Sequence, residues 1–229
     1  MTPPRLIVAL DLPDAASALA ATRLFDGLPV WLKVGLELFT AEGPEVVRTL
    51  RKNAPVFLDL KFHDIPNTVR GAVRSAGRLG AAMMTLHLDG GEDMIRAAVL
   101  GKQESGAEGS LLMGITVLTS QGAAVGADPA AAVVERAQRA REWGLDGVVC
   151  SGHEVAAVKA ACGKDFFCLC PGIRPPGAAT DDQARVMTPR QAAQAGADFL
   201  VMGRPILRSE DPRATAAAVL DSLRYTNTH

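Results

Sequence analysis

The sequence predicts one α/β domain, a single (β/α)8 TIM barrel spanning residues 1–229. Short apolar runs alternate with longer Ala-rich stretches of helical period, and there are eight such runs. The chain of 229 residues has an ordinary length for eight strand–helix units. No long Pro/Ser linker, low-complexity tract or composition break divides it. A doubly wound open sheet is the structural alternative, but a strand–helix unit repeated eight times closes most simply as a parallel barrel.

The candidate strands are Leu6–Leu10, Val30–Val34, Val56–Leu60, Met83–Leu86, Leu111–Val117, Gly147–Cys150, Phe166–Leu169 and Phe199–Met202. Helical periodicity lies between them, for example over Pro44–Arg51, Val69–Leu79 and Ala130–Trp143. Gly27, Gly80 and Gly144 fall where helices should stop. Two connections are irregular: Leu118–Asp128 after the fifth strand, and Pro171–Met187 after the seventh. Both follow strands, so both belong at the C-terminal face, where barrel active sites sit. A loop as long as Pro171–Met187 in a compact domain is more often a lid or binding loop than filler.

Composition excludes several classes. A hydrophobic fraction of 48% can fill a core, and 21% charged residues argue against a disordered tail. The formal net charge of -1 offers no basic excess for nucleic acid. No run approaches the ~18 apolar residues of a membrane span. Leu6–Leu10 is too short for a signal sequence, and Asp11 ends it. The expectation is a soluble cytoplasmic protein that binds neither nucleic acid nor membrane. Cys150, Cys162, Cys168 and Cys170 read as small buried hydrophobes in a reducing compartment. Cys168 and Cys170 are one residue apart, which is not zinc-ribbon spacing, and they should share one strand face.

The segment Val56-Phe57-Leu58-Asp59-Leu60-Lys61-Phe62-His63-Asp64 carries the most chemistry. Strand side chains alternate, so Asp59 and Lys61 point together into the barrel while Leu58 and Leu60 face the helices. A buried charge is costly unless paired, and this pair satisfies that demand. Asp11 at the end of strand one and Lys33 at the end of strand two add one charge of each sign. Four charges converging on one mouth are better explained by function than by stability. Asp64 precedes Ile65-Pro66-Asn67-Thr68, where Pro66 suits a first helical turn; the residue reads equally as an N-cap or as a site residue. The loops after strands seven and eight carry Gly172 with Arg174 and Gly203 with Arg204, a combination suited to phosphate. His87 beside Asp89 reads equally as a structural hydrogen-bonder or a catalytic group, and His153 as a cap at a helix start. No metal-ligand cluster, dinucleotide fingerprint or P-loop is visible.

The stretch Asp59-Leu60-Lys61-Phe62-His63-Asp64-Ile65-Pro66-Asn67-Thr68 closely resembles the signature of the orotidine 5′-phosphate decarboxylase family. Leu10-Asp11, Leu32-Lys33-Val34-Gly35, Val117-Leu118-Thr119-Ser120, Pro171-Gly172-Ile173-Arg174 through Asp182-Gln183, and Gly203-Arg204-Pro205 resemble its other motifs. The resemblance implies decarboxylation of orotidine 5′-monophosphate to uridine 5′-monophosphate (UMP), the last step of de novo UMP synthesis, with no metal and no cofactor. It implies that Lys61 donates the proton that replaces the carboxyl group and that Asp59 lies beside the substrate carboxylate. Lys33 and Asp11 would contact the ribose and orient the charges. Asp64 and Thr68 would reach the neighbouring subunit's site, which tips Asp64 toward catalysis and implies a homodimer with a shared site. Ile65, Pro66 and Asn67 complete that substrate-binding stretch. Arg174, Gln183, Gly203 and Arg204 would hold the phosphate, with Gln183 also near the base. Thr119 or Ser120 would touch the pyrimidine. Cys170 stands where the family commonly has threonine, and Asp89 where it has a small residue.

Two alternatives stand beside this reading. A metal-dependent sugar-phosphate decarboxylase or aldolase of the same barrel group shares the D-x-K-x-x-D core but needs a carboxylate cluster for Mg²⁺, and Lys33 sits where such a site would prefer an acid. A non-catalytic nucleotide-binding barrel would keep Gly172, Gly203 and Arg204 but have no use for Asp59 beside Lys61.

Overall fold

Runs of Val, Ile, Leu and Met buried on both faces form parallel strands, and the amphipathic stretches between them form covering helices. A computed structural model describes residues 3–116, 129–175 and 186–224. The strands are β1 (Arg5–Ala9), β2 (Val30–Gly35), β3 (Val56–Phe62), β4 (Met83–His87), β5 (Leu111–Ile115), β6 (Gly147–Val149), β7 (Phe167–Cys170) and β8 (Phe199–Met202). Each pairs in parallel with its neighbours in sequence, and β8 returns to β1, so the sheet closes as an eight-stranded barrel. The helices include α1 (Ala15–Arg23), α2 (Leu36–Glu42), α3 (Glu45–Leu50), α4 (Pro66–Leu79), α5 (Gly91–Ser105), α6 (Pro129–Glu142), α7 (Val155–Cys162), α8 (Pro189–Ala195), α9 (Arg204–Leu207) and α10 (Pro212–Arg224). Among the described residues no helix is long and apolar enough to cross a membrane.

The eight predicted strands are those observed, with no end displaced by more than two residues. The helix ends follow local chemistry. Pro66 opens α4 in the first turn, where its missing N–H costs nothing, and Gly80 closes it in a left-handed conformation. Thr188 and Gln191 form a reciprocal capping box at the start of α8.

Alternation divides the core in two. Ile7, Ala9, Phe57, Met83, Met113, Leu169, Phe199 and Val201 fill the barrel interior. Leu6, Val8, Leu32, Leu58, Met84, Cys168 and Cys170 face outward against the helices. The N-terminal mouth is closed by aromatic rings: Phe199 packs edge-on against Trp31 at 5.4 Å and Phe167 at 5.7 Å, and the Arg5 guanidinium lies over Trp31 and Phe199.

Two aspartates at this lower end repeat one device. Asp146, just before β6, accepts the Leu112 N–H at 2.7 Å and the Lys102 ammonium at 2.8 Å. Asp198, just before β8, accepts the Cys168 N–H at 2.7 Å and the Lys159 ammonium at 2.7 Å. Each carboxylate thus ties a preceding strand to a helix and satisfies a backbone donor beyond the ladder.

Replacing Asp198 with Ala should orphan the Cys168 N–H and strip Lys159 of its partner. The expected loss is about 1–3 kcal/mol of stability, read as a lower urea midpoint with activity retained below the transition. The cysteines give a second expectation. All four are buried and unpaired with one another in disulfides. The Cys168 thiol is pushed up by its hydrogen bond to Cys150 and by burial, and burial raises Cys162. Native protein should leave a thiol reagent unreacted at mildly alkaline pH, and all four thiols should react once guanidinium unfolds the chain.

Candidate active site

The upper half of the barrel interior changes from apolar to charged. Inward positions rise along β1 through Ile7 and Ala9, along β2 through Trp31, Lys33 and Gly35, and along β3 through Phe57 and Asp59; the pairings Ala9↔Lys33, Lys33↔Phe57 and Gly35↔Asp59 set their relative heights. Asp11 lies two residues past the end of β1, not at its last position. Lys33 lies inside β2, which runs on to Gly35. Both differ from the sequence expectation, because each strand end is set by ladder partners rather than by where the apolar run stops.

The four charges form one row of alternating sign. The Lys33 Nζ donates to Asp11 Oδ1 at 2.7 Å and lies 3.7 Å from Asp59 Oδ2. The Lys61 Nζ donates to the same Asp59 oxygen at 2.9 Å. The Asp59 side chain is only 13% exposed, so the two ammonium groups stand in for lost water. Gly35 makes room for this row. A Cβ there would lie 2.9 Å from the Lys33 Nζ and 3.1 Å from Asp11 Oδ1, so a side chain would push into the ion pair.

Lys61 reaches this position by an unexpected route. Its φ is 52°, and it is the one non-glycine residue with positive φ among those described. Pairing runs Leu58↔Met84 and resumes at Phe62↔Leu86, so the β3–β4 register shifts between them. Simple alternation therefore assigned Lys61 to the correct face with the wrong backbone. A lysine in this conformation costs of order 1–3 kcal/mol, and such strain clusters at functional sites.

A cavity of about 240 Å³ opens over these charges. Phe57, Ile115, Val149, Leu169 and Val201 form its apolar base, and Asp11, Lys33, Asp59 and Lys61 form one side. Gly172, Arg174, Gly203 and Arg204 line it from the loops after β7 and β8. Gly172 has φ 73°, a conformation that favours glycine. Gly203 passes so close to β1 that a Cβ would lie 3.2 Å from that of Ala9. Arg174 is buried, with its N–H bonded to the Met187 carbonyl across the base of the loop. Cations at one end and a lysine–carboxylate pair at the other suit a ligand with an anionic group remote from its reacting atom.

The stretch from Asp64 to Thr68 stands apart. Asp64, Ile65, Pro66, Asn67 and Thr68 are all exposed, Ile65 by 68%, and none lines the cavity. The N-cap reading of Asp64 is corrected: Ile65 holds the cap position without a side-chain bond, and Asp64 Oδ1 accepts only the adjacent Ile65 N–H at 2.6 Å. The cap position expected at His153 is held instead by Glu154, which makes no side-chain bond to the helix; its Oε2 accepts the preceding Ser151 N–H at 2.8 Å, while His153 is exposed. Glu154 is one residue nearer the helix than His153, and its side chain folds back over the turn to Ser151. Thr119, Ser120 and Gln183 lie outside the described residues, as do most of the loop after β5 and the middle of the Pro171–Met187 loop.

Two neighbours of the row carry no motif signal. Thr85 on β4 is fully buried and bonded to both Asp59 and Lys61. His87 lies at the end of β4 with its ring 5.5 Å from that of His63. Burial, and then the neighbouring His63, hold His87 below the usual imidazole range, so it is uncharged at neutral pH. Asp89 is engaged by Arg136, which also donates to the Thr116 carbonyl at 2.5 Å.

The profile of the Orotidine 5′-phosphate decarboxylase / HUMPS family matches residues 4–219. A Nitratidesulfovibrio vulgaris protein named orotidine 5′-phosphate decarboxylase is 55% identical over 225 residues, covering 94% of this chain and 95% of its own. One of the same name from Anaeromyxobacter dehalogenans is 50% identical over 226 residues, covering 96% and 98%. The crystal structure of orotidine 5′-phosphate decarboxylase from Lactobacillus acidophilus superposes with a TM-score of 0.82 at 34% identity, covering 97% of this chain and 99% of that one. Likeness of this extent, over the same closed barrel, settles kinship: the chain belongs to the orotidine 5′-phosphate decarboxylase / HUMPS family.

Proposed function

We propose that this barrel decarboxylates orotidine 5′-monophosphate to UMP and CO2 without metal or cofactor, and that Lys61 is the proton donor. The observation that carries the reading is the Lys61 ammonium held 2.9 Å from Asp59 inside a cavity whose far side presents Arg174 and Arg204. The substrate phosphate binds at Gly172, Arg174, Gly203 and Arg204, with Gln183 contributing from the same loop. The pyrimidine then reaches Lys61, with Thr119 or Ser120 at the base and Lys33 and Asp11 at the ribose.

The bond between the ring carbon and the carboxyl group breaks, and its electron pair stays on the ring carbon while CO2 leaves. The Lys61 ammonium faces that developing charge and then transfers one proton to the carbon, leaving a neutral amine that regains its proton from solvent. Asp59 fixes the ammonium and, as a carboxylate beside the substrate's own, favours departure of the leaving group. One ion pair at close range contributes about 4 kcal/mol at a realistic effective dielectric. Enzymes often supply roughly 8–23 kcal/mol. The remainder comes from the remote phosphate contacts, which hold the ring in register and exclude water. Lys33 occupies the cavity position where a Mg²⁺-dependent relative would prefer an acid, which favours the metal-free route.

Asp64 and Thr68 act in the site of a second copy of the chain. Their exposure on the cavity side of the barrel, beside the bare Ile65, supports a homodimer with shared sites. An enzyme of nucleotide synthesis with four reduced, buried cysteines fits the cytoplasm.

The direct test follows the ultraviolet absorbance loss of orotidine 5′-monophosphate with EDTA present. Wild type should turn over undiminished, and Lys61→Ala should lose about 10²–10⁴-fold or more in kcat while still binding UMP; arrest by EDTA would instead indicate the metal-dependent rival. Shared sites give an independent readout. Lys61→Ala and Asp64→Ala chains, each inactive alone, should regain about a quarter of wild-type activity when mixed and allowed to exchange, because half the dimers carry one intact site. Self-contained sites would give no recovery.

A further inference from the structure

We infer that Thr85 is a positioning residue for the reaction, its hydroxyl locking the Asp59 carboxylate and the Lys61 backbone into one frame. The inference rests on the reading of Lys61 as proton donor. Between the pairs Leu58↔Met84 and Phe62↔Leu86, three residues of β3 (Asp59, Leu60 and Lys61) face a single residue of β4, Thr85. The ladder cannot supply partners across such a mismatch. The Thr85 side chain does so instead: its Oγ1 accepts the Lys61 N–H at 2.9 Å and donates its proton to Asp59 Oδ1, also at 2.9 Å. The hydroxyl has one proton to give, and this geometry directs it to the carboxylate.

This arrangement distinguishes the two Asp59 oxygens. Oδ1 is occupied by Thr85, so Oδ2 is left for the ammonium groups of Lys61 and Lys33. A carboxylate's terminal torsion is broad, and without the Thr85 bond it can turn away from the lysine. The same hydroxyl satisfies the N–H of the residue in the left-handed conformation, where the strand gives it no partner. Thr85 is fully buried and does not line the cavity, so it acts through its neighbours rather than on substrate.

The test compares Thr85→Val, which keeps the shape and removes the hydroxyl, with Thr85→Ser, which keeps the hydroxyl. Thr85→Val should lower kcat by about 10–100-fold, the effect of misplacing a reacting group by roughly an ångström or less. KM and the dissociation constant for UMP should stay within about threefold, because the phosphate site is untouched. Thr85→Ser should restore kcat to within a few-fold of wild type. If Thr85→Val does not fold, as judged by circular dichroism, Thr85→Ala replaces it in the same comparison. The inference is overturned by an unchanged kcat in the hydroxyl-free variant, by equal losses in the Ser variant, or by a parallel loss of UMP binding. Lys61→Ala measured alongside separates the two claims. Full activity there removes the proton-donor reading itself, whereas an inactive Lys61→Ala with wild-type Thr85→Val removes only the role of Thr85.

Discussion

A carboxylate with little access to water stays anionic only beside cations, and Asp59 meets two. That requirement arranges the whole upper barrel. It demands that β2 and β3 be adjacent, so that Lys33 can reach across, and that position 35 carry no side chain, so that Lys33 can also meet Asp11. It places a third group, Thr85, on the opposite strand. The resulting row is electrically balanced, with two acids and two lysines, so it survives within the fold. In the proposed reaction an anionic substrate adds negative charge beside Asp59 and in front of Lys61, and part of it leaves as neutral CO2.

The two ends of the barrel answer different demands. At the lower end, rings and aspartate ties fill space and satisfy backbone groups, and nothing is left to react. Asp146 and Asp198 show the economy of a repeated fold: each follows a helix-terminating glycine by two residues and bonds one preceding strand and one lysine from a helix. At the upper end the same inward positions carry charge, left-handed backbone and glycines that admit close approach. Stability and chemistry therefore occupy separate layers of one barrel, which is why loops can vary over a constant frame.

Much of this was legible in the sequence, because strands buried on both faces leave unbroken apolar runs and barrel helices leave a clear period. Asp11, Lys33, Asp59 and Lys61 were legible because ionisable residues at apolar strand ends need a reason. Thr85 was not. In Met83-Met84-Thr85-Leu86-His87 a threonine is an ordinary β-branched strand residue, and its meaning comes from a register shift on the neighbouring strand. The left-handed conformation of Lys61 was hidden for the same cause, since nothing local in Asp-Leu-Lys-Phe departs from a regular strand. Glu154 was overlooked in favour of His153 because the helix starts one residue later than its sequence suggests, and the Glu154 bond to Ser151 closes the turn before it.

Position 61 sets folding and turnover against each other. The torsion there suits glycine, yet the proposed reaction asks for a long cationic side chain at the ring carbon. If Lys61 is the proton donor proposed above, selection for heat resistance alone would drift toward a hardier but inert barrel, and lysine would persist only under selection for the reaction. The residue is thus a marker of use: in a copy of this fold that has lost its task, it is the first side chain that should disappear.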